Sequence, residues 1–375
     1  MLAAIITGIL LIFYCGLLLY YRYWWFASSL YESINISQPV TSFTVVIPAR
    51  NESVNIRKCL ESITNLDYPS ELLDVIVVDD HSEDDTYFIA STFPNVKLIK
   101  LSDYITDEYN SYKKQAITLG VQQAKGSYII TTDADCIVPP NWLRAYDAVI
   151  QNRQSVFIAA PVAIIDNHSM LNKFETLDFM MLQGITAAAV QSGMHAMSNG
   201  ANLCFQKKAF MAVDGYSNID HIASGDDLLL MQKIDKQFPG RTHYCKSKEA
   251  VVLTNGSANI LSFLQQRIRW ASKGKYYEGI FFKSAVILVF LLNFCFLFVF
   301  VAVFFNKMLW PALIVLMIIK TSIELIFLYP VSLFFGKTNL LWIFLRLQPL
   351  HILYMVTAGF LGNMVKYQWK GRTVR

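Results

Sequence analysis

Three acidic clusters and one mixed basic and aromatic group carry residue types that can do chemistry. Asp133 and Asp135, in the run TTDADC, present two carboxylates two residues apart. That spacing can hold a hard divalent cation that keeps waters and takes phosphate oxygens as further ligands. A solvated turn at a strand end accounts for the same residues equally well. Asp79 and Asp80 follow the apolar run VIVV. A carboxylate there can accept hydrogen bonds from a base or a ribose, or it can cap a helix starting over Glu83 to Thr86. Asp226 and Asp227, in SGDDLLL, stand where a helix is predicted to begin. Capping and the helix dipole explain acids at that point, and a general base carried on a rigid element uses the same position. Gln266, Arg269 and Trp270 fall at i, i+3 and i+4, which puts a guanidinium fork beside an aromatic platform on one helix face. Interfacial anchoring is the alternative for that Arg and Trp. Lys113, in KKQAITLG, is either a solvated helix residue or a phosphate ligand.

These groups must be positioned by the elements around them. FTVVIPA (Phe43 to Ala49), LDVIVVD (Leu73 to Asp79), VKLIKL (Val96 to Leu101) and GSYIITTD (Gly126 to Asp133) are predicted strands. Helical stretches run between them over Ser53 to Thr64, Asp84 to Ser91 and Tyr112 to Ala124. Strands alternating with helices argue for a parallel, Rossmann-like α/β sheet, in which ligands bind beyond the carboxyl ends of the strands. Asp79-Asp80 and Asp133-Ala134-Asp135 fall at such ends. No GxGxxG follows the first strand, which disfavours a dinucleotide site. The second half is less regular, with helices predicted over Phe174 to Val190 and Asp227 to Phe238. In Ser257 to Lys275 the apolar positions Ile260, Leu261, Leu264, Ile268 and Ala271 recur at helical spacing. An amphipathic helix at a membrane surface is expected there.

Composition bounds the setting. Of 375 residues only 16% are charged and 54% are hydrophobic, so lipid must form part of the solvent. Leu2 to Tyr21 and Ser284 to Asn306 contain no charge, and each is long enough for a span. The first lacks a basic leader and ends in the interfacial run YYRYWWF, so a retained anchor is expected rather than a cleaved signal. Further spans are expected from Met308 to Phe335 and within Leu340 to Met364. Arg346, Gln348 and Pro349 interrupt the latter, predicting an interfacial helix followed by a span. Lys320 and Glu324 lie one turn apart in apolar sequence and are expected to pair. The expected parts are an anchor (1–26), a polar domain (42–256), the amphipathic helix (257–278), a membrane region (281–365) and a basic tail (366–375). If tail and domain are both cytoplasmic, one of the three later stretches is not a simple span. Net charge is +4 with the basic residues dispersed, which argues against nucleic acid as a partner. The six cysteines form no CxxC, implying neither a disulfide framework nor a zinc site.

VVIPARNE, VVDDHSEDDT, KKQAITLG, TTDADC, SGDD and QQRIRW occur in one order from Val45 to Trp270. The chain thereby resembles the membrane-integrated family 2 glycosyltransferases, such as ceramide glucosyltransferases and cellulose, hyaluronan and poly-N-acetylglucosamine synthases. The tail run WKGR is also similar to membrane members. The resemblance implies a GT-A fold, an α/β domain with a Rossmann-like mixed sheet flanked by transmembrane helices. It assigns Pro48 and Glu52 to the nucleotide pocket, Asp80 to the base, Asp79 to support of the turn and Lys113 to the donor phosphates. Asp133 and Asp135 match the DxD, with Asp135 the direct ligand of Mg²⁺ or Mn²⁺. Asp227 matches the catalytic base, and Gln266, Arg269 and Trp270 match the QxxRW group that closes over the diphosphate and borders the acceptor. Asp226 departs from the usual Glu, and Ile117-Thr118 from the usual Leu-Asn. The implied activity is inverting transfer from a nucleotide sugar, a UDP-sugar favoured, to a lipid or lipid-linked acceptor. The implied location is the cytoplasmic face of the cell (inner) membrane. A processive polysaccharide synthase, a non-catalytic nucleotide-binding membrane scaffold and a nucleotidyl or phosphoryl transferase are the alternatives.

Overall fold

The computed structural model describes residues 2–30, 38–105, 111–194, 197–222, 225–276, 279–364, 367–369 and 372–374. The first half runs α1 (Leu2–Ala27), β1 (Phe43–Ala49), α2 (Ile56–Thr64), β2 (Leu73–Asp79), α3 (Thr86–Ser91), β3 (Lys97–Lys100), α4 (Tyr112–Gln123), β4 (Tyr128–Thr131), α5 (Trp142–Arg153), β5 (Phe157–Ala159) and β6 (Val162–Ile164). The second half runs α6 (Met170–Ser192), β7 (Leu203–Gln206), α7 (Lys207–Ala212), α8 (Leu228–Gln237), β8 (Thr242–Tyr244), β9 (Val252–Thr254), α9 (Ile260–Ala271), α10 (Ile280–Phe305), α11 (Trp310–Phe335), α12 (Leu341–Met364), β10 (Tyr367–Trp369) and β11 (Arg372–Val374). These elements form two compact units.

The sheet unit comprises Ser28–Ile165, Ala196–Asn255 and Gln368–Arg375. Its seven strands lie in the order β3-β2-β1-β4-β7-β5-β8. All neighbours are parallel except that β7 runs antiparallel to both β4 and β5. The sheet is therefore mixed rather than wholly parallel. β1 and β2 read as unbroken apolar runs because both faces of the sheet are covered. Pro48 sits inside central β1 without breaking it. Ala49 turns its carbonyl to β2, accepting from Asp80 N–H at 2.7 Å, so the Pro48 nitrogen faces the opposite side. There the last bond with β4 runs from Thr132 N–H to Val46 O at 3.4 Å, so Pro48 falls where that pairing ends. Chain order reverses between β1 and β4, making this the switch point at which such sheets bind ligands.

The helical unit comprises Met1–Ala27, Asp166–His195 and Gly256–Tyr367. Four of its helical stretches are long and apolar enough to cross a membrane: Leu2–Ala27, Ile280–Phe305, Lys307–Phe335 and Thr338–Gly362. Two sequence expectations are corrected here. The segment around α6 belongs to this unit and not to the polar domain. It packs on α1, α11 and α12, and Gly184 admits α11 so closely that a Cβ would meet Val331 at 2.6 Å. The last apolar stretch is one continuous helix rather than an interfacial piece followed by a span, with Pro349 inside it. Gln348 does not face lipid headgroups. It joins a buried cluster in which Lys320 Nζ lies 2.5 Å from Glu324 Oε1 and donates to Gln348 Oε1 at 2.9 Å. Gln348 donates to Glu324 Oε2 at 2.5 Å and Tyr14 OH to Glu324 Oε1 at 2.8 Å. The expected Lys320–Glu324 pair is thus formed, and the carboxylate is satisfied from three helices, which apolar surroundings require. Ser224 of the SGDD run, and residues 277–278, 365–366, 370–371 and 375, lie outside the described residues.

Candidate active site

The carboxyl ends of β1, β2 and β4 carry the first group of predicted residues. Asp79 closes β2 and Asp80 follows it; both are buried. The turns after β1 and β2 are stitched together. Arg50 donates to the carbonyls of Asp80 (3.0 Å) and His81 (3.3 Å), and Asn51 accepts from Glu83 N–H (2.9 Å). Glu52 N–H donates to Thr86 Oγ1 at 2.7 Å, while the Glu52 carboxylate accepts from Asn55 at 2.8 Å and its carbonyl starts α2. His81 takes a left-handed conformation (φ 54°) and its Nδ1 lies 3.0 Å from Asp80 Oδ1. Asp79 Oδ1 is buried without a hydrogen-bond partner among the described residues. Burying an acceptor unpaired is costly, so this atom marks a place where a bound group with a donor is welcome.

α4 brings Lys113 to the same edge. Its Nζ lies 2.7 Å from Asp133 Oδ1, beyond the end of β4, and 3.1 Å from Asp226 Oδ2, just before α8. Burial pulls the Lys113 pKa down and the two carboxylates outweigh it, so the ammonium is held charged. Asp227 caps α8, its Oδ1 accepting from Leu228 N–H at 2.7 Å. Its Oδ2 accepts from Gly200 N–H at 3.2 Å. Asp133 of the DxD, the lysine and Asp226 of the acidic pair, which come from separate parts of the chain, therefore meet. Burial raises the thiol pKa of the adjacent Cys136, and the carboxylates of Asp135 and Asp133 add to the effect.

Two residues with no sequence signal complete this arrangement. Gly200 sits so close that a Cβ would lie 2.9 Å from Asp226 Oδ2 and 3.2 Å from Lys113 Nζ. Asn202, fully buried, fixes the segment that delivers it. Its Oδ1 accepts from Trp142 Nε1 (2.9 Å) and Tyr146 OH (2.7 Å), and its Nδ2 donates to the carbonyls of Pro161 (2.7 Å) and Ala250 (2.8 Å). All four hydrogen-bonding positions of the amide are used.

The carboxylates that could hold a metal are those of Asp133 and Asp135. Among the described residues no group of three or more His, Cys, Asp or Glu is arranged to hold an ion. Two carboxylates fit a hard cation that takes its remaining ligands from water and phosphate. Gln266, Arg269 and Trp270 lie on α9 of the helical unit, each partly exposed. Trp270 packs its ring 6.2 Å from that of Phe179 on α6.

The model of the glycosyl transferase family group 2 matches residues 128–361, more than half of the chain, and that of glycosyl transferase family 2 matches residues 44–198. The chain belongs to the family 2 glycosyltransferases. The chain is 38% identical over 101 residues to glycosyltransferase AglE of Haloferax volcanii, covering 27% of the chain and 32% of the relative. It is 26% identical over 242 residues to a probable glycosyltransferase of Sulfolobus acidocaldarius, covering 62% of the chain and 49% of the relative. It is 25% identical over 239 residues to the poly-β-1,6-N-acetyl-D-glucosamine synthase of Staphylococcus epidermidis, covering 63% and 55%. The chain thus spans between about a third and about half of the length of these curated relatives. The mannosyltransferase PcManGT from Pyrobaculum calidifontis, solved in complex with GDP-Man and Mn²⁺, superposes over 96% of this chain and 98% of its own with a TM-score of 0.61 at 17% identity. The chain therefore has the GT-A fold together with four long apolar helices.

Proposed function

We propose that the chain moves a sugar from a nucleotide sugar, a UDP-sugar by preference, to a hydroxyl of a lipid or lipid-linked acceptor at the cytoplasmic face of the cell membrane, with inversion. The observation that carries this reading is the joining of Lys113, Asp133, Asp226 and Asp227 at the switch point of the sheet. A carboxylate at the N-cap of a helix, fixed by two backbone N–H groups, is held still enough to act as a general base. Asp227 takes the proton of the acceptor hydroxyl as its oxygen bonds to the anomeric carbon. The bond from that carbon to the diphosphate breaks on the opposite face, and nucleoside diphosphate leaves. One base suffices, and no covalent sugar on the protein is needed. Lys113 meets the charge that develops on the leaving phosphates. Pro48, Glu52, Asp79 and Asp80 line the nucleotide side, and Gln266, Arg269 and Trp270 serve the diphosphate and the acceptor. Asp133 and Asp135 would hold Mg²⁺ or Mn²⁺, which when bound offsets negative charge on the diphosphate.

The four apolar stretches support membrane residence. A processive synthase is the second reading, supported by the poly-β-1,6-N-acetyl-D-glucosamine synthase relatives; the length of the product separates the two. The test is nucleoside diphosphate release by detergent-solubilised protein across a panel of nucleotide sugars, with and without a membrane-lipid extract, wild type beside Asp227→Asn. Lipid-stimulated release from one donor, reduced about 10²-fold or more in the variant with nucleotide binding kept, is expected. Equal release by both proteins refutes the assignment of Asp227.

A further inference from the structure

α9 carries Gln266, Arg269 and Trp270, and of the two residues that the motif leaves free between Gln266 and Arg269, Arg267 is the buried one. Arg267 is 4% exposed. Its Nε donates to Asp178 Oδ2 of α6 at 2.9 Å, and its Nη2 lies 2.7 Å from the same oxygen. Asp178 Oδ1 accepts a short hydrogen bond from Tyr354 OH of α12, and His351 Nε2 lies 3.8 Å from that oxygen. The other edge of the guanidinium turns to α9 itself. Nη1 donates a short hydrogen bond to Gln266 Oε1. The guanidinium carbon lies 4.3 Å from the centre of the Trp270 ring and 4.5 Å from that of Phe263.

Holding α9 in place does not require this charge. Phe263, Tyr354 and Ala358 form an apolar cluster with Leu264, Ile268 and Phe174, which already seats α9 on its neighbours. Burying an ion pair contributes little net stability, because desolvation offsets the attraction. What the pair supplies is direction. A planar guanidinium fixed by a carboxylate from another helix can grip an amide on one edge and an indole on its face, and an ammonium cannot.

We infer that Arg267, held by Asp178 and Tyr354, is the positioning residue that fixes the side chains of Gln266 and Trp270 for transfer. The inference rests on the transferase reading above, which gives those two side chains their work. Arg267 touches neither donor nor acceptor in this assignment; it acts through its neighbours.

The test uses full-length solubilised protein with Arg267→Lys and Asp178→Asn, each also made with Trp270→Phe so that the emission of Trp270 is obtained by difference. Arg267→Lys keeps a cation for Asp178 and loses the flat contact. It is expected to lose about tenfold or more in kcat, with the Trp270 emission shifted. If Asp178→Asn does not fold, Arg267→Lys decides alone. Wild-type kcat in Arg267→Lys, or an unchanged Trp270 emission, overturns the inference and leaves Arg267 a tie between helices. A wild-type protein that turns over no donor at all refutes the transferase reading instead, a result separable from the first two.

Discussion

Gly200→Ala is the sharpest probe of the cluster, because it adds one methyl group where Lys113, Asp226 and Asp227 come together. The new Cβ would lie 2.9 Å from Asp226 Oδ2 and 3.2 Å from Lys113 Nζ, against an ordinary contact of 3.4 Å or more. Asp226 must therefore withdraw by about 0.5 Å. It is the tip of a side chain and not backbone, so the withdrawal is cheap for folding. It is expensive for the site, since the same oxygen holds Lys113 at 3.1 Å and the glycine N–H holds Asp227 Oδ2 at 3.2 Å. Displacements of this order at reacting groups cost between about tenfold and about 10²-fold in rate, or about 1.4 kcal/mol of transition-state stabilisation for each factor of ten. The assay is nucleoside diphosphate release under saturating donor, paired with thermal unfolding and with nucleotide binding measured by calorimetry. kcat is expected to fall by that factor while the unfolding midpoint and nucleotide affinity stay within error. Wild-type kcat in Gly200→Ala refutes the argument that Gly200 sets the geometry of the acidic pair. A collapse of the unfolding midpoint refutes the claim that the cost falls on the site.

Two further predictions concern stability. Burial lowers the Lys246 pKa to about 8, so between pH 8 and the ordinary lysine range the unfolded chain binds more protons than the folded one. Stability therefore rises with pH across that window, and Lys246→Met is expected to flatten the rise in unfolding midpoint; an unchanged slope refutes it. In the buried cluster of the helical unit, Lys320→Met leaves Glu324 as an uncompensated buried charge and is expected to destabilise by about 3–5 kcal/mol. Lys320→Met with Glu324→Gln is expected to recover much of that loss in a denaturation series, and a double variant as unstable as the single one refutes the coupling.

How much of this was legible in the sequence follows from the range over which each signal acts. The first two strands begin and end as their apolar runs do, because a strand covered on both faces must be apolar at nearly every position and so marks its own boundaries. Asp79 ends β2, Asp80 follows it, and Asp133 and Asp135 lie just past β4, so their position at the carboxyl ends of strands needs no knowledge of the rest. The antiparallel β7 was not legible. Its four residues Leu203–Gln206 owe their direction to pairing with β4 and β5, not to their own pattern. Gly200 and Asn202 escaped for the same reason. A glycine in a loop advertises nothing until Asp226 and Lys113 close around it, and an asparagine becomes a hub only when Trp142 and Ala250 arrive from opposite sides in sequence.

The charges within apolar sequence show where such reading stops being local at all. Lys320 and Glu324 could be paired from sequence because they are one helical turn apart, whereas Gln348, which completes their bonding, looked like the break in a helix. Asp178 and Arg267 are 89 residues apart, and each alone reads as a polar residue on a helix face. Their meeting accounts for the buried arginine at a free position of Q-x-x-R-W. A motif written as fixed and free positions records what touches the substrate. The free position here is filled by a residue whose partner lies on another helix, so a pattern along one chain segment cannot contain it, and the contact has to be sought in three dimensions.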